Sequence, residues 1–149
     1  MRVFRIPKPR ALRFPHAMRA HEEAVTIRFA DADPAGVVFY PRAIGLAHGV
    51  VENLIRHSGI GWHAWFASPV HAAPLRHVEA GFLLPMHAGE IFTARATVEK
   101  LGNTSVTFLV EFTNAANETA ARIRTAHVMV DKATGKPVRI SDEIRSALA

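Results

Sequence analysis

The stretch FADADPAGVVFYP, Phe29 to Pro41, joins a predicted strand to the most apolar helix of the chain. Two acids, Asp31 and Asp33, lie on a turn that also contains proline and glycine. Pro41 is favoured as the first residue of the helix, because proline has no N–H to leave unpaired there. The carboxylates can therefore either shape the turn or take part in chemistry at the start of the helix.

The helix that follows this stretch is expected to be largely enclosed by the rest of the fold. From Pro41 to a stop at Gly59, apolar residues recur at helical spacing and form a wide stripe. Glycine weakens a helix, so Gly45 and Gly49 predict that another backbone approaches it closely.

Strands account for most of the remaining sequence. Ala24–Ala30 alternates apolar and polar residues, which predicts a strand with one buried face. Four more strand-like segments, separated by turn signals, are Val70–Leu84, Ile91–Leu101, Thr104–Phe112 and Ala120–Val130. Ser141 begins a short closing helix by its capping chemistry. One strand, one helix and four strands in a meander predict an α+β fold, in which a single antiparallel sheet curls around the helix.

Composition limits the class of protein. The 149 residues suit one domain with its own core, and 49% hydrophobic with 21% charged residues is typical of a soluble protein. No cysteine is present, which excludes disulfides and thiolate chemistry and suits a cytoplasmic location. No run of eighteen apolar residues exists, so we expect no membrane span.

The positive charge is concentrated at the amino terminus. Residues 1–21 are predicted to form a basic, disordered extension, with Met18 as an alternative start, and residues 22–149 the folded domain. The extension supplies most of the net charge of +5, so the remainder is nearly neutral. A nearly neutral domain disfavours nucleic acid as a partner.

The acid pair has three interpretations. Asp31, Asp33 and Gly36 match positions of a calcium loop, but Ala35 and Arg42 stand where further ligands are needed, so calcium is rejected. Shaping a turn or capping the helix stays open. A catalytic role also stays open. The first N–H groups of a helix lack partners and can polarise a carbonyl. A carboxylate just upstream could attack that carbonyl directly or through water.

Histidine is abundant, with nine copies, but no metal-binding spacing appears, and we predict neither a metal nor a cofactor. His48 lies on the same helix face as Ile44, Val51 and Ile55. It is therefore either a hydrogen-bonded core residue or part of the wall of a substrate pocket.

Three segments resemble the 4-hydroxybenzoyl-CoA thioesterase family of hotdog-fold enzymes: FADADPAGVVFYP, PLRHVEAGFLLPMHAGE and LGNTSVTF. The resemblance spans about residues 24 to 140. It implies a hotdog fold, a homo-oligomer (dimer or tetramer) with active sites between subunits, and hydrolysis of an acyl-CoA thioester without a metal.

The resemblance also implies roles for individual residues. Asp33 matches the nucleophile or general base of the family, and the amide of Tyr40 matches the donor that polarises the thioester carbonyl. Four further residues are expected to bind substrate: His48 and His77 in the acyl pocket, and Thr104 and Ser105 near the pantetheine arm.

Departures from the family bear on the substrate. Tyr40 stands where the Tol–Pal-associated branch has His, which favours an aromatic acyl group such as hydroxybenzoyl, benzoyl or dihydroxynaphthoyl. His48 stands where the 4-hydroxybenzoyl-CoA enzymes have an acid that binds the 4-hydroxyl group. A His at this position resembles the 1,4-dihydroxy-2-naphthoyl-CoA thioesterases. The basic cluster with which the 4-hydroxybenzoyl-CoA enzyme binds the CoA phosphates is missing from this sequence. Lys100 and Arg122 are candidates for that role. The alternatives are a short- or medium-chain enzyme of the Tol–Pal branch and a non-catalytic module that binds acyl-CoA or acyl-carrier protein.

Overall fold

One long helix, α1 (Tyr40–His57), packs against a five-stranded antiparallel sheet in the computed structural model, which describes residues 19–149. The other elements are helices α2 (Trp62–Phe66) and α3 (Asp142–Leu148) and strands β1 (Ala20–Thr26), β2 (His71–Ala72), β3 (Leu75–Phe82), β4 (Ile91–Leu101), β5 (Ser105–Thr113), β6 (Thr119–Val128) and β7 (Val130–Asp131). The predicted α+β class and the predicted closing helix are confirmed, with Ser141 Oγ accepting from Ile144 N at 3.3 Å.

The strand order is β1-β4-β5-β6-β3, so the predicted meander holds only for β4, β5 and β6. Strand β3 was wrongly expected beside β4, and it pairs with β6 at the opposite edge instead. The loop after β3 crosses the end of the sheet. Leu83 N–H donates to Ala120 O in β6, and Gly89 N–H donates to Ile27 O, one residue after the end of β1.

The first strand lies earlier than predicted. β1 covers Ala20–Thr26, and Phe29–Asp31 forms a 3₁₀ helix in which the Phe29 side chain is 92% exposed. Residues 20 and 21, assigned to the amino-terminal extension, therefore belong to the sheet. Residues 1–18, including Met18, lie outside the described part of the chain.

The predicted strand Val70–Leu84 is two strands, β2 and β3. Strand β2 pairs with β7 in a separate two-stranded sheet, so the prediction of a single sheet is wrong for this part. Pro74 separates the two strands, and proline cannot donate to a continuous ladder.

Helix α1 begins one residue before the predicted Pro41 and ends at His57, ahead of Gly59. Gly45 and Gly49 have no heavy atom of the described chain within 4 Å of where a Cβ would stand, so the predicted close backbone is not found there. They line a cleft of about 550 Å³ between α1 and β1 instead.

The core lies between α1 and the inner face of the sheet, where Phe108 and Phe112 are fully buried. Edge strand β3 contrasts with this core, because all eight of its residues are exposed. They include Leu75 (48%), Val78 (38%) and Phe82 (43%), so this edge is partly apolar, and it has no partner strand on its outer side within residues 19–149. In the described residues no helix has the length and apolarity to cross a membrane.

Candidate active site

Asp31 holds the turn between β1 and α1. It is 2% exposed, and its Oδ2 accepts from Arg28 N–H at 3.0 Å. Its Oδ1 accepts from Arg42 Nε at 3.1 Å and from Arg42 Nη2 at 2.9 Å, while Phe39 N–H donates to the Asp31 carbonyl at 2.8 Å. The carboxylate thus ties the end of the strand to the first turn of the helix, and it has little freedom to meet a substrate.

The charge of Asp31 is stabilised by these contacts. Burial by itself raises the pKa of the carboxyl, but the Arg28 N–H and the Arg42 guanidinium outweigh it and hold the pKa below its ordinary value. The first acid of the pair therefore has a structural role.

Asp33 is held on a tighter turn and is only half-buried. Its Oδ1 accepts from Ala35 N–H at 2.8 Å, its N–H donates to Val37 O at 2.9 Å, and its carbonyl accepts from Gly36 N–H at 2.9 Å. Gly36 has φ of 79°, a conformation that favours glycine. The turn fixes the backbone of Asp33, and Oδ2 has no hydrogen-bond donor among the described residues.

Tyr40 opens helix α1 with an available donor. Its N–H makes no hydrogen bond to any acceptor in residues 19–149. Arg42 N–H and Ala43 N–H both donate to Phe39 O, and Pro41 has no N–H. The first turn therefore offers one free amide, at the positive end of an 18-residue helix.

His48 lies two turns further along α1 on an exposed flank. Its ring packs edge-on against Phe66, with centroids 5.8 Å apart, and Phe66 in turn packs against Trp62 at 5.4 Å. Helix α2 therefore builds an aromatic wall beside His48. No group of three His, Asp or Glu side chains in the described chain is arranged to hold a metal ion.

The other three predicted site residues lie at the far end of the sheet. Thr104 and Ser105 are at the β4–β5 hairpin, where Met129 N–H donates to Thr104 O. His77 pairs with Ala126 on the outer face of the sheet near the same end. The Asp33 turn is attached to the opposite end, because Val38 N–H donates to Met86 O in the loop after β3. A single chain thus brings Asp33 and Tyr40 together but keeps them away from His77, Thr104 and Ser105.

The residues that sequence reasoning missed are Arg42 and His127. Arg42 binds Asp31. His127 on β6 is 6% exposed, and its Nδ1 lies 3.0 Å from Ala73 O. A signal for His127 was present, because it shares the parity of the buried positions Ile123 and Thr125 in an alternating strand.

Comparisons with known proteins agree with this architecture. The sequence profile of the Thioesterase-like superfamily matches residues 27–148. The 1,4-dihydroxy-2-naphthoyl-CoA hydrolase of Nostoc punctiforme is 31% identical over 119 residues, which cover 80% of each chain. The hydrolase of the same name from Rippkaea orientalis is 26% identical over 80% of this chain and 88% of its own.

Solved structures show the same fold. The crystal structure of a 1,4-dihydroxy-2-naphthoyl-CoA thioesterase from Synechocystis superposes with a TM-score of 0.79 at 21% identity, covering 87% of this chain and 95% of that one. These findings confirm the predicted hotdog fold and the prediction of a thioester hydrolase.

The role of Asp31 predicts how stability depends on pH. Because its pKa is depressed in the folded state, Asp31 contributes stability above the unfolded pKa of about 3.9 and loses it as pH falls through the folded pKa. Asp31→Asn should therefore lower the free energy of unfolding at pH 7 by about 1–3 kcal/mol. The difference from wild type should shrink below about pH 4.

Urea unfolding at several pH values measures this effect. Asp33→Asn is the matched control, because its half-exposed side chain accepts one backbone bond that an amide oxygen also accepts. A difference between wild type and Asp31→Asn that is the same at pH 3 and pH 7 would contradict the assigned role.

Proposed function

Because the chain belongs to the Thioesterase-like superfamily, we propose that it hydrolyses the thioester of an aromatic acyl-CoA to the free acid and CoA. The observation that carries the proposal is the pairing of the Asp33 carboxylate with the free Tyr40 N–H on one short stretch. The names of the relatives support an aromatic acyl group, with 1,4-dihydroxy-2-naphthoyl as the first candidate. A cytoplasmic location stays a prediction from composition.

The chemistry follows from these two groups. The Tyr40 N–H and the helix dipole stabilise negative charge on the thioester oxygen. Asp33 either adds to the carbonyl carbon itself or takes a proton from a water that adds to it. When the tetrahedral intermediate collapses, the C–S bond breaks and the CoA thiolate takes up a proton. On the direct route, water then hydrolyses the acyl anhydride on Asp33.

The aromatic wall beside His48 supports an aromatic acyl group. Phe66 and Trp62 offer flat apolar surfaces next to His48, and flat rings pack edge-on or offset against such surfaces. His48 is eight residues after Tyr40, which places it about 12 Å along the helix axis. That spacing favours a site in which His48 of one chain faces Asp33 of another.

A second chain could complete the site by pairing with the β3 edge, which has no partner strand on its outer side within residues 19–149. A twofold axis at this edge pairs β3 antiparallel with the β3 strand of a second copy. Such pairing would place the Asp33 end of one chain beside the Leu75 end of the other, where His77, Thr104 and Ser105 lie. All the predicted site residues would then meet across the interface. We propose a homodimer of this kind as the active unit, with a tetramer as a further possible assembly.

Replacing Asp33 tests the chemistry. Asp33→Asn should lower kcat for an aryl-CoA by about 10²–10⁴-fold, because the amide neither adds to the carbonyl nor takes a proton. CoA release is measured with benzoyl-, 4-hydroxybenzoyl-, 1,4-dihydroxy-2-naphthoyl- and hexanoyl-CoA. Asp142→Asn, the same change on the exposed start of α3, is the control and should keep full activity.

Two outcomes would overturn the proposal. Full turnover by Asp33→Asn would remove its assigned role. Wild-type protein that binds these esters without releasing CoA would instead identify a binding module, and selective turnover of hexanoyl-CoA would identify an aliphatic thioesterase.

Replacing Val78 tests the dimer. A charge at this exposed apolar position of β3 should raise the dimer dissociation constant at least tenfold, since an unpaired buried charge costs several kcal/mol. Val78→Asp should therefore shift the protein toward monomer in sedimentation velocity and lower thioesterase activity with it. Ile91→Asp is the matched control, because Ile91 is 62% exposed on β4, away from the β3 edge. A fully active monomer would exclude the shared site.

A further inference from the structure

Glu52 connects helix α2 to helix α1 by a side-chain hydrogen bond. Its Oε1 accepts from Trp62 Nε1–H. Glu52 lies one turn after His48 on the same face of α1, because residues four apart in a helix are neighbours. Ring contacts run from His48 through Phe66 to Trp62. These contacts and the hydrogen bond together join the two helices at both ends of the aromatic wall.

Helix α2 is too short to hold its own position. It has five residues, and its start has no side-chain cap within the described chain. Isolated helices of this length are not stable in water, so the placement of α2 depends on tertiary contacts. The loop before it contains Gly59 and Gly61 with φ of 93° and 82°, a conformation that favours glycine and lets the chain fold back onto α1.

Two tryptophans fix α2 in different ways. Trp65 is 3% exposed and packs edge-on against Phe108 in the core, with ring centroids 6.1 Å apart. This burial holds the helix near the sheet, but burial is not directional and does not set the orientation of a ring at the surface. Trp62 is only half-buried, and its hydrogen bond to Glu52 does set that orientation. Glu52 therefore determines how the aromatic wall stands beside His48.

The aromatic wall is open to a ligand. His48 is exposed, and Phe66 and Trp62 are half-buried, so part of each ring is accessible from outside the protein. A flat acyl group gains most from an aromatic side chain that stands edge-on or offset to it. A wall ring that turned away would lose this contact, whereas an aliphatic chain needs no particular ring geometry. The orientation of Trp62 thus bears on which acyl groups bind.

We propose that Glu52 is a positioning residue, which orients Trp62 and thereby gives the aromatic wall a preference for aromatic over aliphatic acyl groups. The inference rests on the proposed thioesterase function and deepens it, because it assigns acyl selectivity to a carboxylate that acts through another side chain. Asp33 and Tyr40 keep their proposed roles at the thioester.

Two substitutions at position 52 separate positioning from support of the fold. Glutamine keeps an oxygen that accepts from Trp62 Nε1–H, whereas methionine has a similar size and helix propensity but only a weak acceptor. Glu52→Met should therefore release the Trp62 ring, and Glu52→Gln should keep it in place. Arg56→Met is the matched control. Arg56 Nη2 lies 3.8 Å from Glu52 Oε1, so this change removes the ion pair along α1 and leaves the hydrogen bond intact.

The kinetic measurement is KM and kcat for 1,4-dihydroxy-2-naphthoyl-CoA and benzoyl-CoA. In Glu52→Met, KM for both esters should rise about three- to tenfold, as the loss of an aromatic contact predicts, while kcat changes by less than about twofold. Hexanoyl-CoA is the aliphatic reference, and its inhibition constant against benzoyl-CoA should change by less than about twofold. Glu52→Gln and Arg56→Met should both resemble wild type.

Tryptophan fluorescence gives a readout that does not depend on turnover. The chain has two tryptophans, and release of the Trp62 indole to water should move the emission of Glu52→Met to longer wavelength. Glu52→Gln should show no shift. In a Trp62→Phe background the change to methionine should have no spectral effect, because only the buried Trp65 then emits. Trp62→Phe by itself removes the donor of the same bond, so it should raise KM for the aryl esters, and the double variant should show no further rise.

Each outcome decides the inference. Unchanged KM values for the aryl esters in Glu52→Met would overturn it and leave the thioesterase proposal intact, as would an equal weakening of hexanoyl-CoA binding or an unshifted emission spectrum. An equally large rise of KM in Arg56→Met would assign the effect to the ion pair and would also overturn it. No hydrolysis of any aryl-CoA by wild type would refute the proposed function and the inference with it. If Glu52→Met does not fold, Trp62→Phe decides, because a rise in KM confined to aryl esters supports the inference and unchanged values contradict it.

Discussion

The geometry of the candidate active site depends on the hydrogen bonds of one buried carboxylate, that of Asp31. By accepting from Arg28 N–H and from the Arg42 guanidinium, it fixes the path from strand β1 into helix α1. It does so without using the Tyr40 N–H, which makes no hydrogen bond within residues 19–149. Asp33 is then carried on a turn of its own. In the proposed mechanism Asp31 supports the turn, Asp33 carries out the chemistry, and the free end of the helix takes the substrate oxygen.

The order of the strands determines what one chain can and cannot assemble. Because β3 crosses to pair with β6, it becomes an edge strand, and in the described part of the chain that partly apolar edge has no further partner. An exposed apolar edge is a liability for a monomer, since its N–H and C=O groups can pair with another chain. The same crossing holds the Asp33 turn at one end of β3 and the β4–β5 hairpin at the other. The proposed homodimer would complete both the site and the sheet.

Local patterns predicted local structure well. The alternation of β4 predicted its bounds of Ile91–Leu101, and helical spacing predicted α1 within two residues. The same reasoning could not predict which strands pair, because the sequence of β3 does not show that its partner is β6 rather than β4. The FADADPAGVVFYP stretch, through its resemblance to the family, predicted Asp33 and Tyr40 as the catalytic pair, and this stays a prediction. The partner of Asp31 was not predicted, because the sequence alone does not show that the Arg42 side chain, eleven residues later, reaches back to Asp31.

Histidines 48 and 127 illustrate why counting a residue type says little about its role. Among nine histidines the described chain buries one at 6% exposure, and its tautomer is set by a single backbone carbonyl. A carboxylate at position 127 would need a compensating cation, because an unpaired buried charge is far more costly than an unpaired neutral acceptor. A neutral imidazole avoids that cost and still accepts a hydrogen bond. Burial therefore favours a neutral ring at position 127, whereas His48 lies on an exposed flank of α1 and is under no such constraint.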